Sequence, residues 1–247
     1  EIMGLGIGLT AAKEYHIPYY PETIPNLELW LRYNKGHTAH DGSSTTANDM
    51  SNGDKIRRWD DYSRNKNDAE QAEDSDAPKY LNGGSEFVSN NKWFDLTSSV
   101  VLEAEFTLIM RVTLTTVSSD SLFGSGNQNF VRIMNENTIR CKVGNATQNN
   151  FTATDALDAG DSAPEYIISF TRNAGNEMEV IVDGGDFTQH QWGSLALSNG
   201  DTFTIDNVGA HTDDAGEMGG VVTDVLIYSK YLTNTELSNM YTYLRSQ

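Results

Sequence analysis

Short runs that alternate apolar and polar residues decide what this chain can become. Tyr166-Ile167-Ile168-Ser169-Phe170-Thr171-Arg172 turns at Asn173-Ala174-Gly175-Asn176 into Met178-Glu179-Val180-Ile181-Val182-Asp183, and Gly184-Gly185 ends the run. β-Branched and aromatic residues on both sides of an Asn/Gly turn are the signature of a hairpin. The same period of two recurs at Leu27–Tyr33 and Ile139–Val143, and Phe106–Val112, Phe130–Met134, Phe203–Val208 and Val221–Tyr228 read as further strands, the first of these long and buried. Leu27, Leu29 and Leu31 share one face of the first run, with Glu28, Trp30 and Arg32 on the other. A further strand pair is expected between Tyr80 and Phe94, and Asn135-Glu136-Asn137 turns Phe130–Met134 back onto Ile139–Val143. One helix is expected, at the end of the chain. Thr233 with Glu236 three residues on is a capping box, and Leu237, Met240, Tyr241 and Leu244 follow at helical spacing. About a dozen short strands with one terminal helix specify an all-β antiparallel sandwich of the jelly-roll kind. No repeat is visible, and nothing in the pattern asks for a second domain.

Composition narrows the function classes. With 247 residues, 38% of them hydrophobic, the chain can bury a sizeable core, and all-β sandwiches of this length are often one domain. The net charge of −18, from 35 acidic and 17 basic residues, repels phosphate backbones and anionic lipid. Nucleic acid and membrane are therefore not expected partners. No stretch approaches the roughly 18 apolar residues that cross a bilayer. Cys141 is the single cysteine and lies in the alternating run Thr138–Val143, so a disulfide scaffold is excluded while an extracellular setting is not.

The front of the chain differs from the rest. Residues 1–9 alternate Gly with Ile2, Met3, Leu5, Ile7 and Leu9. Gly costs about 1 kcal/mol per helical position, so an extended arm fits better than a helix. The run lacks the basic start of a signal peptide. Its apolar side chains are too few to bury themselves, so the arm is expected to dock on another chain or on its own domain. Pro18, Pro21 and Pro25 among Tyr15, Tyr19 and Tyr20 read as extended linker, and the boundary is set at 1–26 for arm and linker and 27–247 for the sandwich. Residues 34–54 read as a polar loop. His37, His40 and Asp41 lie close together there, but their spacing is weak for a metal site and a solvated loop is the expectation.

Trp59-Asp60-Asp61-Tyr62-Ser63-Arg64-Asn65-Lys66-Asn67-Asp68-Ala69 is a box of another kind. One large aromatic is followed by ten residues rich in Asp, Asn and Ser, whose side chains bond nearby backbone and shape turns. Trp59 is expected in the core, with Asp60, Asp61 and Asn67 holding the loop. An ordinary surface loop with a hydrophobic plug fits the same residues.

Taken in order, Leu29-Trp30-Leu31, the box, Val182-Asp183-Gly184, Asp224–Tyr228 and the closing helix resemble the concanavalin A-like lectin/glucanase superfamily. The likeness is to its laminin-G-like and pentraxin-like jelly-roll domains, and covers roughly residues 27–245. Trp59, Asp61, Ser63, Asn67 and Asp68 match the family box, and Arg64 stands where Gly is usual. The Gly/aliphatic arm resembles those on virion structural proteins of marine bacteriophages. That resemblance implies a non-enzymatic capsid decoration, head-fibre or tail-associated protein on the virion surface. The arm (Ile2, Met3, Leu5, Ile7, Leu9) would grip other capsid or tail proteins, with the chain present as a homo-oligomer or in many copies. The alternative is an extracellular or cell-surface adhesion module that binds host glycans.

Glycosidase relatives need two carboxylates about 5 to 9 Å apart. Glu103-Ala104-Glu105 lacks the central Asp of the glucanase pattern, and Glu177-Met178-Glu179 is a hairpin edge, so no enzyme is expected. No nucleophile triad, phosphate loop or Cys/His metal cluster is visible. The sugar-binding relatives imply calcium, which takes about six to eight oxygens. Asp213, Asp214 and Glu217 before the last strand, with Asp183 and Asp186 after the hairpin, are the candidate ligands, although an acidic loop tip accounts for them as well. Trp192 beside His190 is the candidate stacking platform, although an edge or core aromatic is the plainer reading of it. Asn145-Ala146-Thr147 and Asn150-Phe151-Thr152 match glycosylation sequons by chance in an Asn-rich chain.

Overall fold

The computed structural model describes residues 20–41, 49–88, 92–144, 146–153, 156–184, 187–196, 201–211 and 216–247, with backbone alone at 184 and 187–196. A 3-10 turn at Pro21–Thr23 precedes β1 (Leu27–Leu31), β2 (His37–Ala39), β3 (Ile56–Trp59), β4 (Ala69–Glu70), β5 (Lys79–Leu81) and β6 (Gly84–Phe87). Then follow β7 (Phe94–Leu102), β8 (Phe106–Leu114), β9 (Asp120–Ser125), β10 (Asn129–Asn135), β11 (Thr138–Lys142) and β12 (Asn149–Thr152). The chain ends with β13 (Glu165–Arg172), β14 (Glu177–Gly184), β15 (Phe187–Ala196), β16 (Phe203–Val208), β17 (Gly220–Tyr228) and the helix α1 (Asn234–Arg245).

The strands form two antiparallel sheets. The first runs β15-β14-β13-β8-β17-β6-β5, with β1 also on β17, and the second runs β12-β11-β10-β9-β16-β7-β4-β3-β2. Alternation turns one row of each sheet inward. Leu108, Met110 and Val112 of β8 and Val222, Val225 and Ile227 of β17 share one buried cluster with Phe94, Leu102, Phe123, Val131 and Ile205. The expected sandwich is present, with seventeen strands among the described residues in place of about a dozen. The additional ones, such as β2 and β4, have two or three residues, too few for alternation to register. The strand pair placed between Tyr80 and Phe94 closes at Phe87, and Phe94 opens β7 in the other sheet.

The helix covers the outer face of the first sheet. Leu237, Met240, Tyr241 and Leu244 pack on Ile109, Ile167, Leu226 and Tyr228, and the Tyr241 hydroxyl donates to Ser169 Oγ at 2.6 Å. Thr233 caps the helix, with the reciprocal Glu236 bond of a capping box in place. Residues 20–26 differ from the expected extended linker. Pro21 opens the 3-10 turn, Ile24 is buried in the helix cluster, and Tyr20 meets Tyr243 edge-on at 5.9 Å. The Tyr228 hydroxyl donates to the Pro21 carbonyl at 3.2 Å, so the helix face captures the lead-in.

Candidate functional site

β17 changes neighbours partway along, and that change makes a cleft. Val221 and Val222 pair with β6, whereas Val225 to Tyr228 pair with β1. Between them the β17–β8 register shifts across Val222 and Asp224. Asp224 sits at this junction, fully buried, on the outer side of the sheet. Its Oδ1 accepts the Tyr33 N–H at 3.1 Å, just past the end of β1. Burial pushes the Asp224 carboxyl up to about 7, and the Tyr33 N–H and the Arg111 charge act against that rise.

Arg111 projects outward from the middle of β8. Its Nη1 lies 3.4 Å from Asp224 Oδ2 and its Nε 2.7 Å from Glu165 Oε2. The second contact is out of line for a hydrogen bond and acts as an ion pair. The guanidinium also lies over the Tyr33 ring, 5.4 Å from its centroid. That ring is placed by the β5–β6 turn, where Gly83 at φ +89° passes so close that a Cβ would come 2.4 Å from Tyr33. Thr113, Thr115 and Thr223 add hydroxyls, and the cleft holds about 440 Å³. Arg111 is 11% exposed and Glu165 37%, while Asp224 is 0% exposed. Hydroxyls, a held guanidinium, a half-exposed carboxylate and an aromatic ring can bind a polar ligand. Asp224 lies behind Arg111 and is poorly placed to pass a proton to one.

A shallower depression of about 480 Å³ lies on the second sheet, lined by Asp95, Thr97, Asp206 and Asn207 among others. Several of its polar groups are already engaged. Asp95 Oδ1 accepts from Trp93 Nε1 at 3.1 Å and Asn207 Nδ2 at 2.5 Å, and Asp206 Oδ2 accepts from Ser125 Oγ at 2.5 Å.

The box residues assemble into a joint between the sheets. Trp59 is fully buried. Asp61 Oδ1 accepts from the Trp30 N–H at 2.9 Å and the Ser63 N–H at 2.7 Å, and its Oδ2 accepts from Ser63 Oγ at 2.6 Å and the Asn67 N–H at 2.9 Å. Asp68 Oδ1 accepts the Asp61 N–H at 2.8 Å. Asn67 reaches β7, accepting the Ser98 N–H at 2.7 Å and donating to its carbonyl at 2.5 Å. Asp60 takes no part in this and pairs with Arg58 at 2.6 Å at the surface.

The other sequence-marked residues are scattered. His37 opens β2 and is fully buried, not part of a solvated loop. Its ring stacks on Trp59 at 4.7 Å and its Nε2 lies 3.3 Å from Ser85 Oγ. His40 bonds the Gln71 carbonyl at 2.8 Å instead. His190 and Trp192 lie on β15, the outermost strand of the first sheet, with His190 opposite Val182 and Trp192 at a register shift. Glu217 is half-buried in the segment before β17. Asp183 is buried and ion-paired with Arg245 of the helix, so that carboxylate anchors the helix to the sheet. Asp186, Asp213, Asp214 and the arm residues Ile2, Met3, Leu5, Ile7 and Leu9 lie outside the described residues. No group of three or more metal-ligating side chains occurs among the described residues. No helix among them is long and apolar enough to cross a membrane. Cys141 is buried, and burial pushes its thiol up to about 12.

Arg111 and its carboxylates escaped the sequence reading. The signal for them was a lone Arg inside the apolar run Phe106–Val112 and a lone Asp inside Val221–Tyr228. A charge in a buried strand calls for a partner.

No protein-family model matches this sequence, and no curated protein matches it. Solved structures do share its shape. A native heptameric SAP-like pentraxin from Limulus polyphemus superposes with a TM-score of 0.51 and 12% identity, over 62% of this chain and 78% of that one. The binding domain of botulinum neurotoxin serotype D gives 0.55 and 14%, over 88% and 51% of the two chains. An arabinofuranosidase complexed with arabinofuranosyl-alpha-1,2-xylobiose gives 0.57 and 14%, over 87% and 58%. The chain thus spans little more than half the length of the last two. At such identities the likeness speaks to fold alone. Together with the two antiparallel sheets, it shows a lectin-like antiparallel β-sandwich fold.

Proposed function

We propose that this chain is a non-catalytic glycan-binding sandwich carried on the outside of a bacteriophage particle. The observation that carries the glycan reading is the open cleft at the β17 junction, where an aromatic ring, hydroxyls and a held guanidinium meet. Sugars are bound by such mixtures of ring faces and placed polar groups. The sandwich shape shared with a structure solved in complex with a sugar supports the same reading. A non-enzymatic role is supported by Asp224, whose carboxyl pKa burial raises, lying fully buried behind Arg111. Calcium at Asp213, Asp214 and Glu217 and stacking on Trp192 beside His190 remain part of the proposal. A glycan array tests it. Binding that survives both chelation and Trp192→Ala would remove those two features, and no binding to any glycan would remove the reading.

The particle location is carried by the alternation of Gly with aliphatic residues across residues 2–9. Such a segment gains burial only against another surface, and the proposed partners are capsid or tail proteins holding multiple copies of this chain. Removing residues 1–14 should abolish incorporation into particles while leaving a folded sandwich. Copy number by quantitative mass spectrometry then separates a capsid-wide role, with hundreds of copies, from a vertex or tail role, with dozens. A truncated chain that still incorporates would overturn the arm assignment.

A further inference from the structure

We propose that the cleft at the β17 junction is a sugar site and that it selects an uncharged sugar through two adjacent hydroxyls. This rests on the glycan-binding reading and sharpens it to a class and a set of atoms. Arg111 is fixed on three sides, by Glu165 at Nε, Asp224 at Nη1 and the Tyr33 ring beneath. Its Nη2 makes no hydrogen bond to a described residue, so its N–H groups are left for whatever enters. Glu165 stands beside it, 37% exposed, with Oε1 meeting only a long 3.4 Å contact from Thr223 Oγ1. A fixed donor next to a fixed acceptor matches neighbouring hydroxyls. One accepts from Nη2 and the next donates to the carboxylate. The guanidinium is immobilised before the ligand arrives, so little side-chain freedom is lost on binding.

Charge decides the class. Among the described residues that line the cleft Arg111 is the one cation, against Glu165, Asp161 and Glu86, with Asp224 behind it. The surrounding molecule carries −18. A carboxylated or sulfated sugar would enter against that field, whereas a neutral sugar meets no such penalty. Thr115 stands exposed at the rim, where it can contact the ligand without supporting the core.

The test is an array of neutral, sialylated and sulfated oligosaccharides, followed by calorimetric titration of the best binder against wild type, Glu165→Gln, Thr115→Val and Arg111→Lys. Neutral glycans should bind and charged ones should not. Glu165→Gln and Arg111→Lys should each weaken binding tenfold or more, and Thr115→Val two- to fivefold. Circular dichroism checks that each variant folds. Because Glu165 and Thr115 are partly exposed, those two variants keep the test valid even if Arg111→Lys unfolds. A preference for sialylated or sulfated glycans overturns the class. Neutral-glycan binding that Glu165→Gln and Thr115→Val leave unchanged overturns the site and leaves glycan binding standing. An empty array removes the glycan reading itself.

Discussion

His37 and Asp224 are both fully buried, and burial moves them in ways that oppose each other with pH. The His37 imidazole is pushed down from 6.5 to about 3, and the Asp224 carboxyl up from 3.8 to about 7. Above pH 6.5 His37 is neutral whether the chain is folded or not. Between 6.5 and 3 the unfolded chain takes up a proton that the folded one refuses, so this residue lowers stability as pH falls. Asp224 works the other way. Below pH 3.8 it is protonated in both states, and from 3.8 to 7 the unfolded chain releases a proton that the folded one keeps, so stability falls as pH rises. Each slope reaches about 1.4 kcal/mol per pH unit at most. Across pH 3.8–6.5 the two offset. Relative to wild type, His37→Phe should make stability fall more steeply with rising pH, and Asp224→Asn should make it rise. Urea unfolding at pH 4, 5, 6 and 7 measures this, and curves parallel to wild type would refute it.

At the scale of elements, the box is a joint between sheets. Asp61 receives four hydrogen bonds, one of them from Trp30 of β1 in the first sheet, while Asn67 holds Ser98 of β7 in the second. Removing the carboxylate strands several buried donors, each costing about 1–3 kcal/mol. Asp61→Ala should therefore cost about 3–5 kcal/mol in total, or about 10 °C in Tm at this chain length. Asp60→Ala, next in sequence, removes only a surface pair with Arg58 and should stay within about 0.5 kcal/mol. Thermal unfolding of the two variants side by side decides the matter. Equal losses would mean that the box is an ordinary loop.

For the molecule as a whole, 35 acidic against 17 basic residues make the folded state repel itself. Salt shortens the reach of that repulsion, from about 10 Å at 0.1 M to about 3 Å at 1 M. Tm should rise by several degrees between low and molar NaCl, since folding concentrates the charge that unfolding disperses. A Tm that is flat or falls with salt would show that specific ion pairs such as Arg111–Glu165 outweigh the general field. The same field would oppose the entry of an anionic ligand into the β17 cleft.

The amino-acid sequence alone determined the class of fold, because alternation, turn residues and the capping box are local and each acts within a few positions. It also marked the box at Trp59 to Asp68, since Asp and Asn bond nearby backbone whatever lies further off. It did not show that His37 is core, because the stacking partner Trp59 and the hydroxyl of Ser85 come from elsewhere in the chain. Nor did it show the cleft. Tyr33, Gly83, Arg111, Glu165 and Asp224 are spread across some 190 residues and meet only because β17 pairs first with β6 and then with β1. That exchange of neighbours leaves one buried carboxylate with β8 on one side and no strand on the other, and only the assembled sheet brings the Tyr33 N–H and the Arg111 guanidinium to it.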